Sequence, residues 1–116
     1  MDLYHIWCDL KPAVRDTDFV DAARAYLDRL EASDALVSYR ITRRKLGLGP
    51  GHLGEFHLQL EFANLAQLDA AFTAVSRRDN PIGGFHQAVN SKVQNVTFAL
   101  YRDFPDQHCE HGEELF

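Results

Sequence analysis

Apolar and polar positions alternate along this chain with two different periods, and the changes of period mark six elements. Residues 3–10 (Leu-Tyr-His-Ile-Trp-Cys-Asp-Leu) are a short aromatic and apolar run stopped by Lys11-Pro12, which predicts a first strand. A helical stripe follows at Phe19, Ala22, Ala23, Tyr26, Leu27 and Leu30. Asp16 is expected to cap that helix, with Asp18 in its first turn. Residues 36–45 predict a second strand, with Val37, Tyr39 and Ile41 alternating against Ser38, Arg40 and Thr42. After a loop with Gly47, Gly49, Gly51 and Gly54, residues 55–62 alternate cleanly: Phe56, Leu58, Leu60 and Phe62 against Glu55, His57, Gln59 and Glu61. Asn64 and Gln67 form a capping-box pattern before a second helical stripe at Leu65, Leu68, Ala71, Phe72 and Val75. Residues 79–84 predict a break, 85–91 a short turn, and about 93–102 a fourth strand with Val96, Phe98 and Leu100 on one side.

The resulting order, β-α-β-β-α-β, with short connections and right-handed crossovers, predicts an α+β, ferredoxin-like fold. Its four-stranded antiparallel sheet runs 4-1-3-2, with both helices on one face and strands one and three at the centre. Residues 1–104 form the domain and 105–116 a polar tail.

With 116 residues the chain is one domain, long enough to bury a core without disulfides. Twelve basic and 17 acidic residues give a net charge of −5, which argues against nucleic acid or an anionic membrane as partner. No apolar run reaches the ~18 residues of a spanning helix, and the Met1-Asp2-Leu3-Tyr4 start has no signal-peptide character. Cys8 and Cys109, at opposite ends, read as reduced thiols of a cytoplasmic protein.

If the helices cover one face, the other carries Leu3, His5, Trp7 and Asp9, then Ser38, Arg40, Thr42 and Arg44, then Glu55, His57, Gln59 and Glu61, and finally Asn95, Thr97, Ala99 and Tyr101. An uncovered face holding Trp7 and Tyr101 meets something. Two such sheets closing face to face into a homodimeric barrel would enclose a polar and aromatic cavity for a small molecule.

His5 and His57 are the leading candidates on that face. A close pair of imidazoles can move protons near neutral pH, or hold a divalent metal with Glu61 or Glu55 as the carboxylate. The plainer reading is two half-buried histidines packed in an interface. Setting His5 opposite Gln59 would bring Asp9 against Glu55, so like charge disfavours that register. Arg40, Gln59 and Asn95 supply donors and acceptors for substrate, and Trp7 and Tyr101 supply stacking surfaces. His86, four residues before Asn90 in a polar connection, is a third candidate catalytic residue at a cavity mouth. Arg43, Arg44 and Lys45 lead into the glycine loop, which joins strands and so fits neither common phosphate-loop fingerprint; it reads as a hairpin loop able to lie over a cavity. His108-Cys109-Glu110-His111 has metal-philic composition without the spacing of a structural zinc site.

The pattern as a whole resembles the dimeric α/β-barrel superfamily, which includes small monooxygenases, dehydratases and stress-responsive barrels. The stretches Met1–Leu10, Thr42–Gly47 and Asn95–Asp103 are similar to an uncharacterised bacterial family of short proteins with a domain of unknown function, over about residues 1–106. The resemblance implies a dimer and supplies no catalytic residues.

The expectation is therefore a small-molecule-binding dimeric barrel, with monooxygenase-, isomerase- or dehydratase-like chemistry, dependent on a divalent metal if His5, His57 and Glu61 converge. The alternative is a non-catalytic ligand-sensing or structural dimerisation module. An RNA-binding sheet of the same topology is set aside, because strand three offers no aromatic on the open face and carries two acids there.

Overall fold

A computed structural model describes residues 1–76 and 81–105, the stretch 81–85 through its backbone only. The elements are β1 (Asp2–Leu10), α1 (Asp16–Ala32), β2 (Ser38–Arg43), β3 (Phe56–Phe62), α2 (Leu65–Ser76), α3 (Pro81–Asn90) and β4 (Val93–Arg102). The sheet order is β2-β3-β1-β4 and every pairing is antiparallel, as the sequence predicts. Helices lie on one face. The apolar residues of β3 (Phe56, Leu58, Leu60, Phe62) and the α1 stripe (Phe19, Ala23, Leu27, Leu30) meet in a single buried cluster. Strict period two in β3 and period 3.6 in α1 are what let both present one continuous apolar side to the other.

The helix ends are tied by local chemistry. Asp34 sits at φ +59°, and behind it Ala35 N–H donates to Leu30 O at 2.8 Å while Asp34 N–H donates to Glu31 O at 3.1 Å. That is a Schellman termination with aspartate in the left-handed position. At α2, Gln67 N–H donates to Asn64 Oδ1 at 2.9 Å, and Gln67 Oε1 accepts Ala63 N–H at 2.7 Å. Gln67 Nε2 also donates to Asp34 O at 2.8 Å, which links the start of α2 to the end of α1.

Four local expectations are corrected. Arg15, rather than Asp16, is the N-cap of α1; Asp16 lies inside the helix, where Oδ1 accepts Thr17 N–H and Oδ2 accepts Arg43 Nη1. Where a break and a short turn are predicted, α3 runs from Pro81. Proline at a first helical position needs no N–H partner and has a preset φ, so it starts this helix rather than ending one. The second strand ends at Arg43, because Arg44 turns back to hold the loop. Finally, Phe98 and Leu100 of β4 stay 58% and 51% exposed, although they share the helix side of the sheet. β4 is an edge strand, and its Val93 and Val96, rather than Phe98 and Leu100, pack against the core cluster. The His108-Cys109-Glu110-His111 segment lies outside the described residues.

Candidate functional site on the open sheet face

Three cross-strand rows build the open face. The first reads Ser38, Glu61, Leu3, Tyr101. The second reads Arg40, Gln59, His5, Ala99. The third reads Thr42, His57, Trp7, Thr97. His5 therefore faces Gln59 directly and His57 diagonally.

The disfavoured register is the one adopted, and the reason is visible. Ladder pairing of β1 with β3 stops at Cys8–Phe56, before the two carboxylates would oppose each other. Asp9 Oδ1 instead accepts the backbone N–H of Glu55 at 2.9 Å, and its Oδ2 accepts Asn95 Nδ2 at 3.2 Å. The Glu55 carboxylate turns away to Arg43 Nε at 3.0 Å. Asn95 itself lies in the left-handed region at φ +54°, where the β1–β4 register shifts, so it is a bulge residue that buttresses Asp9.

This register brings the two histidines together. His5 Nδ1 and His57 Nε2 are 2.8 Å apart, a hydrogen bond in which one nitrogen carries the proton and the other accepts it. His57 stacks on Trp7 with ring centroids 4.7 Å apart and planes within 6°, and His5 stacks on both. Tyr101 meets His5 edge-on at 5.1 Å. Burial in this ring cluster pushes both imidazoles below their ordinary pKa; for His57 the charge of His5 adds to the effect. The pair is thus uncharged or singly protonated around neutral pH.

Beside the cluster, the loop between β2 and β3 forms the far wall of a cleft of about 200 Å³ lined by Trp7, His57, Thr42, Leu48, Pro50 and Leu53, among others. Arg44 Nη2 fixes that wall by donating to Pro50 O at 3.0 Å and Leu53 O at 2.6 Å. Gly54 closes against β1, where a Cβ would lie 2.4 Å from the Cys8 carbonyl carbon. Arg43 serves the other side of the sheet, bonded to Asp16 and Glu55 and stacked over Phe56 at 5.1 Å. Both arginines are thus engaged by contacts within the fold.

The remaining expected residues divide. Arg40 and Gln59 share the His5 row, with Arg40 exposed on the edge strand. Glu61 stands two rows from His57, on the order of 13 Å along the strand, and accepts Ser38 Oγ at 2.8 Å. It does not join the histidines. Among the described residues no three metal-ligating side chains converge. Two nitrogens on a tetrahedral ion at ~2.0–2.1 Å would lie about 3.3–3.4 Å apart, so the 2.8 Å separation is that of a hydrogen bond. His86 lies on the opposite side of the sheet, edge-on to Tyr26 of α1 at 5.5 Å, and cannot reach the open face. Sequence reasoning missed Asp9 as the buttress of the site. It also missed Tyr26, which reads as one more apolar position of a helix stripe.

Among solved structures, an antibiotic biosynthesis monooxygenase is similar at 17% identity and TM-score 0.64, over 90% of this chain and 100% of that one. A dimeric ferredoxin-like protein of unknown function from Jannaschia sp. CCS1 aligns at 16% identity and TM-score 0.62, over 89% and 100% of the two chains. A DABB family protein with a ferredoxin-like fold from Mesorhizobium loti aligns at 14% identity and TM-score 0.60, over 88% and 95%. At such identities the likeness establishes the ferredoxin-like fold. No curated protein matches the chain. The family model that matches spans residues 1–116, and the chain therefore belongs to that family of unknown function, DUF6614.

Proposed function

We propose that two copies close their open sheet faces on each other and bind a small molecule between them, with the His5–His57 pair moving a proton on it. The observation that carries this reading is the 2.8 Å imidazole pair, set in an aromatic cluster on a face that no helix covers. A shared-proton pair held below its ordinary pKa is a base at neutral pH and an acid once it has accepted. Trp7 and Tyr101 offer surfaces for a planar group; Arg40, Gln59 and Asn95 offer donors. The chemistry that fits is proton abstraction beside a carbonyl: an isomerase returns the proton at another atom, a dehydratase passes it to a hydroxyl that leaves as water, and a monooxygenase without a resident cofactor leaves a carbanion that dioxygen oxidises. The dimeric neighbour of the same fold supports the assembly. We read the setting as cytoplasmic, on the free, buried thiol of Cys8.

A divalent ion on the same two nitrogens is a second use of the site, reached by parting them about half an ångström from their hydrogen-bonded separation. A ligand-sensing role without turnover uses the same residues.

The test has two stages. Sedimentation of the full chain should give a dimer, and Ala99→Arg, in the middle row of the open face on the edge strand β4, should give a folded monomer. Carbonyl metabolites are then screened by quenching of Trp7, the single tryptophan, and turnover is compared in wild type, His5→Phe and His57→Gln. Activity lost in both variants with binding retained supports proton transfer. Loss on chelation, restored by metal, favours the ion. Binding without turnover favours sensing. A monomeric wild type, or no quenching by any compound, overturns the reading.

A further inference from the structure

We infer that the cavity beneath the helices is a second small-molecule site, which takes an aliphatic group of about four carbon atoms carrying one hydroxyl or carbonyl oxygen. It is independent of the open-face site, because the sheet separates the two. The cavity has a volume of about 90 Å³ and lies between α1, α3 and the sheet. Ile6, Leu27, Leu58 and Val96 are among its apolar walls, and Tyr26, His86 and Asn90 are among its polar lining.

Three considerations define the occupant. First, the space is several times the ~10–15 Å³ that one water requires, but its walls are chiefly apolar, and a water needs two to four polar partners. An apolar group fits it better. Second, an engineered cavity of ~150 Å³ accepts benzene, so this smaller one accepts a shorter aliphatic group. Third, neither the Tyr26 hydroxyl nor the His86 ring has a hydrogen-bond partner among the described residues. Both are desolvated: burial raises the Tyr26 phenol to about 12, with the nearby Tyr4 adding to it, and holds His86 below its ordinary value. Both side chains are half-buried, and one ligand oxygen placed between them can bond both. The phenol donates to it, and the neutral imidazole accepts from it if it is a hydroxyl.

The test uses the full chain with labelled methyl groups, titrated with isobutanol and, separately, with xenon as a probe that has no oxygen. The expected result is saturable movement of the Ile6, Leu27, Leu58 and Val96 methyl signals by both probes, with Trp7 unmoved. Tyr26→Phe should weaken isobutanol roughly three- to tenfold and leave xenon unchanged, as loss of one hydrogen bond requires. Ala23→Leu should fill the space and abolish both; Val89→Leu, at a half-buried position, does the same if the first variant fails to fold. Shifts that do not saturate, shifts centred on Trp7, unchanged binding in the filled variants, or equal isobutanol affinity in Tyr26→Phe would each overturn the inference. None of these outcomes bears on the open face, whose own reporter is Trp7 quenching.

Discussion

His57 lies diagonally from His5 across the β1–β3 ladder, and the two rings bond through Nδ1 and Nε2 at 2.8 Å. Burial lowers the pKa of both, and His5 lowers that of His57 further. His86 is lowered too, by burial. An unfolded histidine titrates at about 6.5. Below that value the unfolded chain takes up protons that the folded chain refuses, so stability is full above pH 6.5 and falls as the medium is acidified toward the folded values. The urea midpoint should therefore drop between about pH 7.5 and about pH 5, with a smaller drop in His57→Gln. In His5→Phe the His57 titration, followed by NMR, should move up without reaching 6.5, since burial is its larger cause. A midpoint at or above 6.5 in the wild type would refute the coupling.

Asp9 ties three strands together, through Glu55 N–H of β3's entry and Asn95 Nδ2 of β4. Removing a charged acceptor from a half-buried N–H costs about 1–3 kcal/mol. Asp9→Ala should lie in that range by urea unfolding and should shift the Trp7 emission, because the buttress of the third row is gone. Asp9→Asn retains an acceptor oxygen and should cost less. Equal stability of all three proteins would mean that the ladder alone sets the register.

What the sequence makes legible here is periodicity. Strict alternation from Phe56 to Phe62 places His57 and Gln59 on the open face, and the run around Trp7 places His5 beside them. Register is harder. The carboxylates of Asp9 and Glu55 look repulsive as a facing pair, yet one bonds a backbone N–H and the other an arginine on a neighbouring strand. Such partners come from the third dimension. The same holds for α3, where Pro81, Gly83 and Gly84 read as breakers; packing against α1 outweighs the cost of two helical glycines. The cavity near Tyr26 is invisible for a related reason, since a stripe tells which residues face inward but not how well they fill the space.

The glycine loop offers a paired comparison. A Cβ on Gly54 would meet the Cys8 backbone at 2.4 Å, whereas one on Gly51 meets nothing within 4 Å. Backbone atoms of a central strand cannot yield as a side-chain end would. Gly54→Ala should lose about 1–3 kcal/mol or more by overpacking. Gly51→Ala should be neutral or gain a few tenths of a kcal/mol, roughly, by restricting the unfolded chain. Similar midpoints for the two variants in urea would contradict the close packing of loop on strand.

Cys8 gives the last prediction. Its thiol is 2% exposed, and burial, with the charge of Asp9 adding, raises its pKa from 9.0 to about 11. The thiolate is the reactive form, so at about pH 8 only on the order of one molecule in a thousand carries it. In a Cys109→Ser background, a disulfide reagent should leave native Cys8 unmodified while the urea-unfolded chain reacts fully. The sign for stability follows. The folded thiol keeps its proton where the unfolded one loses it, so this contribution is intact below about pH 9 and is lost as pH rises toward 11. Cys8→Ala, which has no proton to lose, should show a shallower alkaline decline, and prompt labelling of the native protein would show that Cys8 is open to solvent through motion of the helices above it.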